Sequence, residues 1–286
     1  MVGGIVRAAI QGDQNQIDTL IEKGYLVHRH LDWRRPQEWL NSDPFLVFEM
    51  NGKIEAIMAC PSEPPGIAWM RVFASRDWMH VEAAWQRLWS GTTQYFESHA
   101  GGKVVVISMQ MWLHELLRKS GFHIRQEILM LNRSLLNLPK SETHPDVTIR
   151  KMEYSDLPQA AETDAAAFNL LWQNSLETLR RALPQASLAT VAIFKGRVIG
   201  YQISTSNPVG GHLARLAVLP EWQGQGIASM LVANLLGFMA GQGAQMITVN
   251  TQSDNQVSRL LYKKLGFIET GEKFPVFEFD IQPIKH

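Results

Sequence analysis

Sulfur chemistry has almost no place in this chain: one cysteine, Cys60, stands among 286 residues. A single thiol rules out an internal disulfide and any multi-cysteine metal site, as a reducing compartment permits. Neither sign of charge is in excess. There are 27 basic and 27 acidic side chains, and residues 1–140 hold 15 and 14 of them against 12 and 13 in the remainder. Nothing in that balance calls for nucleic acid or an anionic membrane as partner. No charged-then-apolar leader opens the sequence, and no apolar run nears the roughly 20 residues that span a bilayer. These absences predict a cytoplasmic protein.

What is present suffices for two well-filled cores, with 45% apolar and 19% charged residues. Apolar periodicity breaks at "LNLPKSETHPD", residues 136–146, which reads as a linker between domains at 1–135 and 147–286. Sliding one half along the other by about 144 positions brings out a repeat. "LVFEMNGKIEAIMACPS" (46–62) lies over "TVAIFKGRVIGYQISTS" (190–206), each a hairpin turning at Gly52 or Gly196. The same offset sets Arg71 over Arg215, Trp78 over Trp222 and Ala84 over Ala228, and "LLRKSGF" (116–122) answers "LYKKLGF" (261–267). Asp13 and Asp156 follow each half's first strand as candidate helix caps. Each half reads strand, helical region, hairpin, strand, helix, strand, helix, strand. That order is an α/β (α+β) fold, a mixed sheet flanked by helices.

One corner carries chemistry. "HLARLAVLP" (212–220) is a strand that stops at Pro220, and "IASMLVANLLGFMAGQG" (227–243) is a helix. Between them, Gly224 and Gly226 bare the backbone beside a helix start, whose unpaired N–H groups and dipole favour an anion such as pyrophosphate. No Lys-Ser or Lys-Thr pair follows, as a nucleotide triphosphatase loop requires, and the spacing misses the dinucleotide fingerprint.

"LAVLPEWQGQGIASML" resembles the acyl-CoA-binding motif of the GNAT superfamily of N-acetyltransferases, through Gln223, Gly226 and Ala228. "NQVSRLLYKKLGF" (255–267) resembles that family's later motif. The likeness covers about 147–280 by motif and 1–135 by element order alone. It implies two tandem GNAT-like acyl-CoA N-acyltransferase domains, in a layout similar to mycothiol synthase. It also implies acetyl-CoA as co-substrate, no metal, and direct attack by a small-molecule or peptide amine, in a monomer or homodimer.

The resemblance further implies particular roles. Gln223, Gly224, Gln225, Gly226, Ile227, Ala228 and Ser229 would cradle the coenzyme A pyrophosphate with their amides. Ala217 and Val218 would offer main-chain groups to the pantetheine arm and to the developing oxyanion. Tyr262 is placed to protonate the leaving thiolate, unless it is a core aromatic. Asn255 either touches the coenzyme arm or caps its helix. His212 lies four residues before Leu216, where some members put a glutamate base, and is otherwise an ordinary strand-end residue. Phe168 and Trp172, four apart on one helical face, line an acceptor pocket or fill the core. A longer acyl-CoA, or a coenzyme A sensor without catalysis, stays compatible with these residues.

The first half lacks the same corner. "MHVEAA" (79–84) has no glycine and sets Glu82 where the second half has Gly226, and Leu117 replaces Tyr262. It reads as a degenerate copy that keeps the fold and not the cofactor site. "HRHLDWRRPQEWL" (28–40) reads as a surface loop of snorkelling arginines, with His28 and His30 at a spacing unsuited to zinc.

Overall fold

The computed structural model describes residues 4–99, 101–139, 143–207 and 210–284. They form two compact units. One draws on residues 1–127 and 274–286, the other on Ile128–Lys273.

The first unit contains β1 (Ile5–Ala8), α1 (Gln14–Lys23), β2 (Leu26–Arg29), β3 (Phe45–Met50), β4 (Lys53–Ala59), β5 (Ile67–Trp69), β6 (Val72–Ser75), α2 (Val81–Ser98), β7 (Gly102–Ile107) and α3 (Met111–Lys119). Strand β8 (His123–Ser134) runs on into the second unit. There follow β9 (Val147–Lys151), α4 (Leu157–Ala167), α5 (Leu176–Ala182), β10 (Leu188–Phe194), β11 (Arg197–Asn207), β12 (Gly210–Val218), α6 (Ile227–Gly241), β13 (Met246–Gln252), α7 (Gln256–Lys264) and β14 (Ile268–Ile281).

The units exchange strand ends, so the division differs from a single cut at 136–146. Ile128–Ser134 pair antiparallel with Met246–Gln252 and fall in the second unit, while Val276–Ile281 pair antiparallel with Gly102–Ile107 and fall in the first. Buried backbone must find ladder partners, and here those partners lie in the other half of the sequence. Residues 140–142 of the expected linker lie outside the described residues.

In the first unit β1, β3, β4, β6 and β2 form an antiparallel sheet in that order. Alternation along the strands sends Phe73 and Met58 to a core with Trp85 and Leu88 of α2, and Val72 and Ala74 to a core with Ile17 and Leu20 of α1. In the second unit β8, β13, β12, β11, β10 and β9 follow one another, and only β12 and β13 run parallel. Helix α6 packs Ile227 and Leu231 against Ala192, Ile199 and Val218.

The repeat is written in matching contacts. Arg7 grips Asp13 through two bonds of 2.6 and 2.9 Å, and Arg150 grips Asp156 through two of 2.7 Å. Those guanidinium bonds hold both carboxyls below the usual carboxylate range. Gln16 Oε1 accepts the Ile54 N–H at 3.0 Å; Gln159 Oε1 accepts that of Val198 at 2.9 Å. Both hairpins carry a bulge, at Phe48/Glu49 and at Ala192/Ile193. Both turn through a left-handed pair, Asn51–Gly52 (φ 50° and 76°) and Lys195–Gly196 (φ 47° and 80°). One pairing shifts: Val72 stands opposite Ala59 as Arg215 stands opposite Ile203, so Val72 rather than Arg71 holds the place of Arg215.

The segment 28–40 is not a surface loop. His28 and Trp39 are 1% and 2% exposed, because β2 pairs with β6 and Trp39 packs into the α1 core. Among the described residues no helix is long and apolar enough to cross a membrane.

Candidate functional site

The site begins where two parallel strands part. β12 pairs with β13 only at Gly211–Leu213, opposite Ile247–Val249. Beyond Leu213 the main chain of β12 faces no strand on that side among the described residues. The Leu219 N–H donates to the Ile199 carbonyl at 2.9 Å. Antiparallel alternation then turns Ala217 toward Tyr201 of β11, and turns Leu216 and Val218 to the unpaired side. The main-chain groups turned to that side therefore belong to Leu216 and Val218, where the sequence pointed to Ala217 and Val218. Gln223 Nε2 donates to the Val218 carbonyl at 3.1 Å, tying the next loop to the strand end.

That loop leads into α6 through Gly224 at φ 76° and Gly226 at φ 84°. Left-handed backbone strains any residue with a Cβ, so glycine permits the turn. A Cβ on Gly224 would meet nothing within 4 Å, leaving the approach open. No side chain caps α6 and no acidic residue sits in its first turn. Its first intrahelical bond runs from the Met230 N–H to the Gly226 carbonyl at 2.9 Å. The N–H groups of Ile227, Ala228 and Ser229 precede it and point out of the helix end. Gln225 is bound locally, its Nε2 donating to the Glu221 carbonyl at 2.9 Å.

The first unit shows the contrast. Helix α2 starts at Val81, with Glu82 in its first turn, a carboxylate that disfavours an anion there and accepts a bond from Lys119 at 2.8 Å. Leu117 and Tyr262 fill equivalent places: the Phe122 and Phe267 N–H groups donate to their carbonyls at 3.1 and 2.9 Å. Leu117 is core.

Tyr262 is 5% exposed, its ring 5.4 Å from that of Phe267. Burial pushes its phenol well above the ordinary range, and the positive charge of Arg215 offsets this only in part. The hydroxyl therefore keeps its proton at neutral pH. His212 Nδ1 lies 2.8 Å from Thr248 Oγ1 on β13, where the two strands still pair, and burial lowers its pKa and keeps the imidazole neutral. Asn255 caps α7, its Oδ1 accepting the Ser258 N–H at 3.0 Å.

Phe168 and Trp172 do not share a helical face. Helix α4 ends at Ala167, Phe168 is extended (φ −126°, ψ 151°), and Trp172 closes a separate 3₁₀ turn. Both meet Arg215 instead: its guanidinium lies 3.6 Å from the Phe168 ring centroid and donates to the Trp172 carbonyl at 2.7 Å. Asp164, at 0% exposure, accepts two bonds of 2.6 Å from Arg215, one of 2.5 Å from the Tyr201 hydroxyl and one of 2.6 Å from the Asn174 N–H. Sequence reasoning missed Asp164 and Tyr201 and met Arg215 only as a repeat position. The available signal was a lone aspartate on the apolar face of a helix, which demands a buried partner.

Residues 150–267 match the acetyltransferase (GNAT) family. The chain is 39% identical over 75 residues to N-alpha-acetyltransferase 30 of Schizosaccharomyces pombe, covering 26% of this chain and 50% of that protein, so it spans about half the length of this relative. It is 24% identical over 227 residues to mycothiol acetyltransferase of Nocardioides sp., covering 68% of this chain and 76% of that one. A tandem GNAT protein from the clavulanic acid biosynthesis pathway, solved without acetyl-CoA, superposes with TM-score 0.67 at 12% identity over 99% of both chains, a likeness of fold.

Proposed function

With residues 150–267 belonging to the GNAT acetyltransferase family, we propose that the second unit transfers an acetyl group from acetyl-CoA to a primary amine by direct attack. The observation that carries this reading is the parting of β12 from β13 beside an uncapped, glycine-entered helix. An extended pantetheine arm matches the Leu216 backbone and the Val218 N–H, and a pyrophosphate matches the N–H groups of Ile227, Ala228 and Ser229. Gln223 holds the loop in register with the strand.

The amine nitrogen attacks the thioester carbonyl, whose oxygen gains negative charge next to a main-chain N–H of Leu216 or Val218. The carbon–sulfur bond then breaks, the leaving thiolate takes the Tyr262 hydroxyl proton, and the proton that the attacking nitrogen sheds as it becomes an amide restores that hydroxyl. An ammonium near pKa 10.4 must shed a proton before attack. Neutral His212 is the proposed acceptor for it. Arg215 ties Phe168 and Trp172 to β12, so these side chains shape the acceptor side. A small amine, an amino acid or a peptide N-terminus fits this machinery, and the relatives that acetylate N-alpha groups favour the last.

Free thiol release from acetyl-CoA and longer acyl-CoA thioesters, measured with a panel of such amines, tests the reading. Turnover with at least one amine is expected, and Tyr262→Phe should lower it more than it weakens acetyl-CoA binding. Tight acetyl-CoA binding with no release for any acceptor refutes the enzyme and leaves a coenzyme A sensor. Equal turnover in Tyr262→Phe returns that residue to packing.

A further inference from the structure

The first unit holds a knot of buried polar groups whose hydrogen-bonding capacity the protein does not use. At the end of its sheet Arg71 donates its N–H to the Ala59 carbonyl at 2.8 Å and accepts the His30 N–H at 3.0 Å, which sets Arg71 and His30 opposite each other on one face. His28 lies two residues back on that face, its Nδ1 3.3 Å from Gln110 Oε1. The Arg71 guanidinium stands 4.6 Å from the Trp39 ring centroid and reaches Asp32 through Nη1 at 2.9 Å. Arg34 lies over the same indole at 4.1 Å and pairs with Glu63 at 3.1 Å. His30 stacks on Trp69 at 4.9 Å.

Within this knot Arg71 Nε, Trp39 Nε1, His28 Nε2 and His30 Nδ1 are out of contact with solvent and have no hydrogen-bond partner among the described residues. Each unmet group costs about 1–3 kcal/mol, and native proteins hold few of them. Arg215 in the second unit shows what such a guanidinium takes: its Nε and Nη2 edge grips the Asp164 carboxylate with two bonds of 2.6 Å. The same edge of Arg71 makes no hydrogen bond among the described residues, since Asp32 engages only Nη1.

We propose that this knot is a binding site for a small carboxylate. The ligand's two oxygens lie along the Nε and Nη2 edge of Arg71 as a planar fork, with the Trp39 indole N–H as a further donor. The neutral imidazoles of His28 and His30 serve hydroxyl or N–H groups the ligand carries. Asp32 and Glu63 already balance Arg71 and Arg34, so affinity rests on directed bonds and depends weakly on salt. This site is independent of the acyltransferase reading.

The test follows indole N–H signals in protein labelled with ¹⁵N-tryptophan during titration with acetate, propionate and glycolate, with acetamide as the neutral control. The signal missing in Trp39→Phe identifies Trp39. A saturable downfield shift of that signal with carboxylates and not with acetamide is expected, alongside a rise in melting temperature. Arg71→Lys, which keeps the charge and removes the fork, should weaken binding at least tenfold, and Gly226→Glu should leave it unchanged. Should Arg71→Lys not fold, calorimetry on Trp39→Phe, which removes only the indole donor, should show binding weakened several-fold. No shift with any carboxylate, an equal response to acetamide, or unaltered affinity in both variants overturns the proposal and reduces the knot to water-satisfied structure.

Discussion

Asp164 is wholly buried and met by four donors, two of them from Arg215. Removing Arg215 strands a charge in the core, so Arg215→Met is expected to cost about 3–5 kcal/mol in urea unfolding. A loss under 1 kcal/mol would show the pair to be dispensable. In the first unit burial holds the His28 pKa down to about 4, against roughly 6.5 in the unfolded chain. The unfolded state therefore binds more protons in that interval. Stability from this group is full above pH 6.5 and falls as pH drops toward 4, by about 3 kcal/mol. His28→Gln should flatten that part of the stability profile; an unchanged slope would place the acid sensitivity elsewhere. Tyr262 was visible from its motif. Asp164 was marked only by its place on the apolar face of α4, and which side chains meet it there depends on distant segments.

The deciding element is β12 with the turn that follows it. Its sequence, branched residues ending at Pro220, predicts a strand, and the glycines after it predict the entry to α6, whose observed range Ile227–Gly241 matches the reading at 227–243. Which backbone groups turn to the side without a strand depends on strand register instead, and this put Leu216 there in place of Ala217, with Val218. Gly226→Glu should abolish coenzyme A binding measured by calorimetry, whereas Gly226→Asn, which tolerates left-handed backbone and adds no charge, should retain more of it. Equal, unaltered affinities would remove the loop from the binding site. Gln223→Ala gives up one bond to the Val218 carbonyl, and a neutral hydrogen bond of about 0.5–1.5 kcal/mol translates to a loss of roughly 2- to 12-fold in affinity.

Among the described residues each unit takes a strand end from the other half of the sequence. Val276–Ile281 complete the ladder of Gly102–Ile107, and Phe277 is fully buried in the first unit's core. A chain ending at Lys273 should lose hydrogen-exchange protection at Gly102–Ile107 while the amides of β10 to β12 stay protected; retained protection at both would deny the exchange. The sequence by itself determined the order of strands and helices from β9 to β14 and the glycine corner, because each is written in local periodicity and turn chemistry, whereas β2 and β5 of the first unit escaped it. The tertiary structure alone decided the strand exchange, the register that turns Leu216 and Val218 to the side without a strand, and the burial of Asp164 and of the Arg71 knot. Each of those depends on which distant segment supplies the backbone or side-chain partner, and no local pattern carries that information.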